Sequence, residues 1–156
     1  MDYKGIVVES MQETIGRMLG SKTDVYMEEA EESSPIKVED FTVIIGIAGK
    51  ITGQLIFGFK EETVKNIAQV MIEQEVDELD ELTMSAVAEL TNVISGNATI
   101  KLVDAGSKKL GMSPPSIVMG KSMRISTKIT PITRYRVKIE KFGDVILHIA
   151  LRERDE

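Results

Sequence analysis

Two runs rich in β-branched and aliphatic residues, 37–48 and 52–59, stand on either side of Gly49-Lys50. Two such runs joined by so short a turn commit this part of the chain to an antiparallel β-hairpin. Further strand-like runs occur at 23–30, 116–120, 122–130, 134–141 and 144–151. In the last, Val145, Leu147, Ile149 and Leu151 share one face while Ile146, His148 and Ala150 share the other, as a period of two requires. Helical spacing fills the intervals. Ile6, Val7, Ser10, Met11, Thr14, Ile15, Met18 and Leu19 predict a helix over 3–19, and Gly20 stands where a C-terminal cap belongs. Val64, Ile67, Ala68 and Met71 predict a second helix over 61–74. Asp77-Glu78-Leu79-Asp80 predicts the start of a third, with Asp77 as the acceptor for free backbone N–H groups; it runs to about Asp104 and stops before Gly106. Glu31-Glu32-Ser33-Ser34-Pro35 reads as a loop, and Pro114-Pro115 as a break. The order of helix, strands, two helices, strands predicts an α/β or α+β class with a largely antiparallel sheet. No Gly/Ser linker divides it, so residues 1–156 are expected to form one domain.

Composition removes several chemistries. The chain has no cysteine, which excludes a disulfide framework, a thiolate zinc site and a Cys nucleophile. Its one histidine, His148, leaves no room for a His-rich metal site or a Ser-His-Asp triad within one chain, and alternation with apolar residues marks it as structural. Tryptophan is absent and aromatics make up 4%, which argues against base-stacking platforms. The longest near-apolar run, Phe41 to Ala48, is far short of the roughly 20 residues that span a bilayer. Asp2, Lys4, Glu9, Glu13 and Arg17 interrupt the N-terminal stretch, so no signal peptide and a cytoplasmic location are expected. The net charge of −6 is uneven: residues 1–100 carry −12 and residues 101–156 carry +6. Arg124, Lys128, Arg134, Arg136 and Lys138 alternate along predicted strands, as solvent-facing positions do, so no nucleic-acid partner is expected. Glu28-Glu29 and Glu31-Glu32 read as a solvated strand end rather than a cation site, and the sequon Asn97-Ala98-Thr99 lies inside a predicted helix.

The third helix carries polar residues in an unusual place. Ser85, Glu89, Asn92 and Gly96 fall at i, i+4, i+7 and i+11 and so share one stripe. Leu82, Ala86, Val93 and Ile100 flank it on one side, and Val87, Leu90, Ile94 and Ala98 on the other. That pattern predicts a helix packed on both flanks with a narrow polar ridge between them. Glu89 offers a partner for a cation. Asn92 offers both an acceptor and a donor, enough to orient one water. Such a pair supplies no strong base, but it suits phosphoryl transfer, where the protein contributes mainly positioning and electrostatics. On spacing alone, a merely solvated ridge fits the same residues. A faint repeat accompanies the ridge: Glu13 to Gly20 can be laid on Glu89 to Gly96, 76 residues away, with the Glu and the final Gly identical.

Ser85-x3-Glu89-x2-Asn92, followed after 22 residues by Pro115, resembles the signature [DS]-x3-E-x2-N-x22-P of the CheC/CheX/FliY phosphatases of bacterial chemotaxis. Leu79-Asp80-Glu81-Leu82, the Pro114-Pro115 pair and the hairpin from Val43 to Ile56 also resemble CheX-type members, so the resemblance spans essentially the whole chain. It implies a pseudo-two-fold fold in which two degenerate halves, about 1–76 and 77–156, share one mostly antiparallel sheet with helices packed on it. CheC-type members carry the motif twice and CheX-type members once. Here the first helix has Glu13 but Gly16 where the Asn would stand, which favours the CheX type and, by resemblance, a homodimer.

The resemblance also implies the chemistry. The substrate is the phosphoryl-aspartate of a CheY-like response regulator in chemotaxis signalling. Glu89 pairs with the regulator's active-site lysine, and Asn92 orients the attacking water. Ser85 and Pro115 support them. The Mg²⁺ belongs to the phosphorylated regulator, so no metal or cofactor of the chain's own is expected. The alternative is a non-catalytic module that binds a response regulator or builds a flagellar-switch-like assembly. Any dimer seam is expected at an exposed edge among the C-terminal strands.

Overall fold

The expected hairpin is the centre of the molecule. In a computed structural model, which describes residues 1–154, strands β3 (Phe41–Gly49) and β4 (Ile51–Phe59) pair antiparallel from Phe41↔Phe59 to Ile47↔Gly53. Gly53 has φ 143°, and a Cβ there would overlap the Ala150 carbonyl on the neighbouring strand, so only glycine lets the two backbones pair this closely.

Around the hairpin the chain builds one seven-stranded antiparallel sheet, in the order β1 (Thr23–Glu32), β8 (Ile132–Ile139), β9 (Gly143–Glu153), β4, β3, β5 (Leu110–Met112), with β6 (Ser116–Met119) also paired to β3. Helices α1 (Tyr3–Leu19), α2 (Glu61–Ile72) and α3 (Glu81–Asp104) cover one face. Alternate residues of the central strands point into that layer: Val43, Ile45, Leu55, Phe57, Val137, Leu147 and Ile149 meet Val7, Met11, Ile15, Val64, Ile67, Leu90 and Ile94. Phe41 and Phe59 pack edge to face with centroids 5.9 Å apart. Removing one of these buried rings costs about 3–5 kcal/mol. The class is therefore α+β, with the sheet as a shared scaffold.

The other face of the sheet has a smaller cover. Short strands β2 (Ile36–Lys37) and β7 (Arg124–Ile125) pair with each other and lay Ile36 and Val38 over Ile56, Ile132 and Ala150. The runs 37–48 and 122–130 are thus not continuous strands. Each gives up a short piece to the second sheet, because its remaining apolar residues cover the outer face rather than extend the main ladder. His148 lies under this cover, 2% exposed. Burial, and then the charge of Arg134, push its pKa down to about 4.

Other boundaries shift for local reasons. β1 continues to Glu32, so the acidic loop begins later than its composition suggests. Side chains 29–32 lie outside the described residues; Glu28 pairs with Arg134 (3.4 Å) and Arg136 (3.0 Å) on the sheet surface. Strand β5 falls where the sequence pattern predicts only loop. α2 ends at Ile72, with Glu73 in the left-handed region. Strands β8 and β9 are interior; the edges of the sheet are β1 on one side and β5 and β6 on the other. Among the C-terminal strands of the main sheet, the edge strands β5 and β6 are both short. No helix among the described residues is long and apolar enough to cross a membrane.

Candidate active site

Helix α3 is set in place from its first residue. The cap is Asp80, not Asp77: its carboxylate accepts from the Thr83 backbone N–H at 2.8 Å and from the Thr83 hydroxyl at 2.6 Å. Asp80 is the residue whose side chain meets the free Thr83 N–H at the start of the helix, and Asp77 lies outside it. The hydrogen bond from the Thr83 hydroxyl, and then that from its backbone N–H, hold the Asp80 carboxyl below the usual range.

The buried side of α3 is Val87, Leu90, Thr91, Ile94, Ser95, Ala98 and Leu102. α1 runs alongside it antiparallel. Asn97 donates to the buried Thr14 hydroxyl at 3.0 Å, and Lys101 reaches Glu13 at 2.6 Å and Glu9 at 3.2 Å. The Glu13 carboxylate beside it raises the pKa of Lys101, and Lys101 in turn lowers that of Glu13. These contacts hold one flank of α3, and β5 and β6 pack on the helix as well. Its rotation about its own axis is thereby set.

That rotation turns the sequence-derived ridge outward. Ser85 and Glu89 are exposed, and Asn92 and Gly96 are half-buried. Pro115 is half-buried in the loop between β5 and β6. This loop is held to the hairpin by Ser113, whose hydroxyl accepts from Gly46 N–H at 2.8 Å and whose own N–H donates to Gly46 O at 2.9 Å. Ser113 is an anchor that the signature does not contain; only the structure shows it facing Gly46.

One feature of the ridge departs from expectation. Leu82, Ala86, Val93 and Ile100 do not form a second packed flank: Leu82 and Ile100 are exposed, and Ala86 and Val93 are half-buried. Helical spacing shows which residues share a side but not whether that side meets protein.

The three asparagines of the chain separate sharply. Asn66 donates to Phe142 O at 3.0 Å and Asn97 to Thr14. For Asn92 and for Glu89, the described residues supply no hydrogen-bond or ion-pair partner. A half-buried amide with no bond to any of the described residues is open to a water or a partner from outside. Chemically the pair offers one anion and one bifunctional amide on an outward helix face. Among the described residues no cluster of acidic or histidine side chains could hold a metal.

Comparisons with known proteins identify the family. Residues 41–138, which include the Glu89/Asn92 ridge and Pro115, match the family model of chemotaxis phosphatase CheX. Over 150 residues the chain is 30% identical to the CheY-P phosphatase CheX of Thermotoga maritima, covering 94% of this chain and 93% of the relative. The crystal structure of chemotaxis protein CheX from Desulfovibrio desulfuricans shares the fold at a TM-score of 0.79, with 22% identity over 99% of this chain and 100% of that one. A further neighbour, a complex of CheX with CheY, BeF₃ and Mg²⁺ from Borrelia burgdorferi, superposes at a TM-score of 0.75, with 26% identity over 98% of this chain and 99% of that one. The chain belongs to the CheX family of chemotaxis phosphatases.

Proposed function

We propose that this protein hydrolyses the phosphoryl-aspartate of a CheY-like receiver domain, with Asn92 and Glu89 as its catalytic residues. The observation that carries the reading is Asn92 itself. It is the one asparagine for which the described residues provide no partner, and it stands one turn from an equally unpartnered Glu89 on the outward side of a rigidly held helix.

In this reading Glu89 pairs with the receiver's active-site lysine and fixes the register of docking. Asn92 reaches the phosphoryl group, and its carboxamide holds one water in line. The water oxygen bonds to phosphorus as the bond to the aspartate oxygen breaks. The carboxylate leaves as such, and the water's proton goes to the phosphate product. No base is needed, because the leaving group is already weakly basic and the barrier lies in placing the water. The receiver brings the Mg²⁺ that neutralises the phosphoryl oxygens, in keeping with the complex that carries CheY, BeF₃ and Mg²⁺ together. Ser85 and Pro115 support the ridge from its start and from the adjoining loop.

The single domain over 1–156 is read as two degenerate halves, 1–76 and 77–156, each opening onto the shared sheet through α1 or α3. We place the protein in the cytoplasm, as a homodimer. The seam assigned here is the free edge of β1, ten residues long, with Tyr26 and Met27 half exposed, whereas β5 and β6 are short. Met27→Lys is expected to convert the dimer to monomer in light scattering; a wild-type monomer, or a dimer unaffected by the change, rejects that seam.

The test of the activity is the decay of phosphate on a purified receiver with Mg²⁺, with and without this protein. Wild type should accelerate it. Asn92→Ala and Glu89→Lys should not, and both should keep the wild-type melting temperature, because Glu89 is exposed and Asn92 has no hydrogen-bond partner among the described residues. Full activity in both variants removes the mechanism. Binding without acceleration in the wild type replaces it with a non-catalytic receiver-binding module.

A further inference from the structure

We infer that Ser113 is a positioning residue for the reaction: its hydroxyl locks a one-residue bulge in the edge strand beneath α3, and that bulge sets Pro115 toward the helix that carries Asn92. This rests on the reading of Glu89 and Asn92 given above and adds to it a residue outside the signature.

β5 and β6 are two pieces of one edge strand along β3. Met112 of β5 pairs with Ile47, and Ser116 of β6 pairs with Ile44. Between these pairs β3 advances three residues and the edge strand four. The extra residue is a β-bulge, and it changes the face of every side chain beyond it, because strand faces alternate. Before the bulge, Leu110 and Met112 lie on the helix side of the sheet. After it, Ile117 pairs with Val43 and Met119 with Phe41, whose side chains belong to the helix-side core. Counting back from Ile117 puts Pro115 on that side as well, and Pro115 is half-buried where Pro114 is exposed. Without the extra residue, Ser116 and Val118 would face the helices, and Pro115 would face away.

A bulge interrupts the ladder, and the two prolines add to the gap because neither has an N–H to donate. Ser113 closes it. Its N–H donates to Gly46 O at 2.9 Å. In a regular antiparallel pair its carbonyl would accept the Gly46 N–H in return. Here the hydroxyl takes that place at 2.8 Å, and itself donates to Pro114 O at 3.2 Å. One side chain thus ties the bulge to β3 and to its own next residue. Gly46 is fitted to this clasp: a Cβ there would stand 3.3 Å from the Ser113 Oγ and press on the hydroxyl.

The link to the reaction is the floor on which α3 rests. α1 holds one flank of the helix through Asn97 and Lys101. Beneath it lie β3, β5 and β6, and the bulge falls in that floor. The clasp is exposed, so water replaces its bonds at little cost in stability when the hydroxyl is removed. The strand under α3 then loses its fixed bend, and the helix that aims Asn92 loses its seat. A displacement of about 1 Å at a reacting centre costs about a hundredfold in rate. The position therefore registers in kcat before it registers in stability.

The experiment measures kcat and KM for the phosphorylated receiver with Mg²⁺, corrected for the folded fraction, together with the melting temperature. Ser113→Ala should lower kcat at least about tenfold, with KM little changed and the melting temperature near that of wild type. Ser113→Thr keeps the hydroxyl and should restore kcat. Gly46→Ala should lower kcat as Ser113→Ala does. The two together should be no worse than either alone, since both break the same clasp, and with the hydroxyl gone the new Cβ meets the Cβ of residue 113 at an ordinary 3.7 Å. Ser116→Ala, at an exposed position on β6, should change nothing. Wild-type kcat in Ser113→Ala, a loss that Ser113→Thr does not restore, losses that multiply in the double variant, or an equal loss in Ser116→Ala each overturn the role of Ser113. Asn92→Ala is run in parallel. If it keeps full activity, the catalytic reading fails and Ser113 has no reaction to position; if it is inactive while Ser113→Ala turns over like wild type, only the role of Ser113 fails.

Discussion

Helices α1 and α3 lie side by side on the same sheet, each with a glutamate at the matching place in its pattern, yet the two glutamates have opposite surroundings. Glu13 is held by Lys101 at 2.6 Å, its neighbour Thr14 receives Asn97, and Gly16 follows where an amide would be needed. Glu89 is met by none of the described residues, and Asn92 follows at the next turn. One helix turns its polar groups inward to fasten the pair, while the other leaves them outward. A polar residue marks a reactive surface only when the fold has not already satisfied it.

The comparison can be broken most forcefully at Asn92. Asn92→Ala should lower kcat by about two to three orders of magnitude, the loss that follows removal of one aimed polar group at a reacting centre. Glu13→Ala, its counterpart in α1, should leave kcat unchanged. Phosphate-decay assays of the two variants side by side check both; equal losses would show that the helices are not functionally distinct.

The next effect concerns the scaffold that both helices share. His148 sits on the opposite face of the sheet, with its pKa lowered from 6.5 to about 4 by burial and by Arg134. The unfolded chain therefore takes up a proton below about pH 6.5 that the folded chain refuses until about pH 4. The stability that His148 contributes is complete above pH 6.5, is lost as pH falls to about 4, and changes no further below it. The loss is roughly 3 kcal/mol at most. Urea titrations at several pH values should show this slope in wild type and not in His148→Gln. A wild-type slope that survives the substitution would place the acid sensitivity elsewhere.

The smallest effect is at the junction of the two helices. Thr14→Ala leaves the Asn97 amide without its acceptor, at a cost of about 1–2 kcal/mol. Thermal melts should record the loss while kcat at saturating receiver stays at the wild-type value. A fall in kcat larger than the fall in folded fraction would mean that α1 does more than fasten α3.

Most of the architecture is legible in the residues. The hairpin, α1 with its Gly20 cap and β9 all stand where their residues place them, because α1 buries one face at helical spacing and a continuous β-branched and aliphatic run suits a strand buried on both faces. The failures have a common cause. The runs 37–48 and 122–130 break because part of each covers the far side of the sheet, and a covering strand looks like a ladder strand until its partner is known. α3 is capped at Asp80 rather than Asp77: either acid could cap, and the structure gives the Thr83 N–H and hydroxyl to Asp80.

The candidate site divides in the same way. The stripe of Ser85, Glu89, Asn92 and Gly96, its distance to Pro115 and the family these residues indicate were all contained in the sequence, since spacing along a helix depends on local geometry alone. Only the tertiary structure decided that the Leu82–Ile100 side faces outward, that Lys101 closes on Glu13 while none of the described residues meets Glu89, and that Gly96 has empty space before it. Those facts depend on which elements lie beside α3. Periodicity specifies the faces of a helix, but a face acquires a function from what the rest of the chain does or does not set against it.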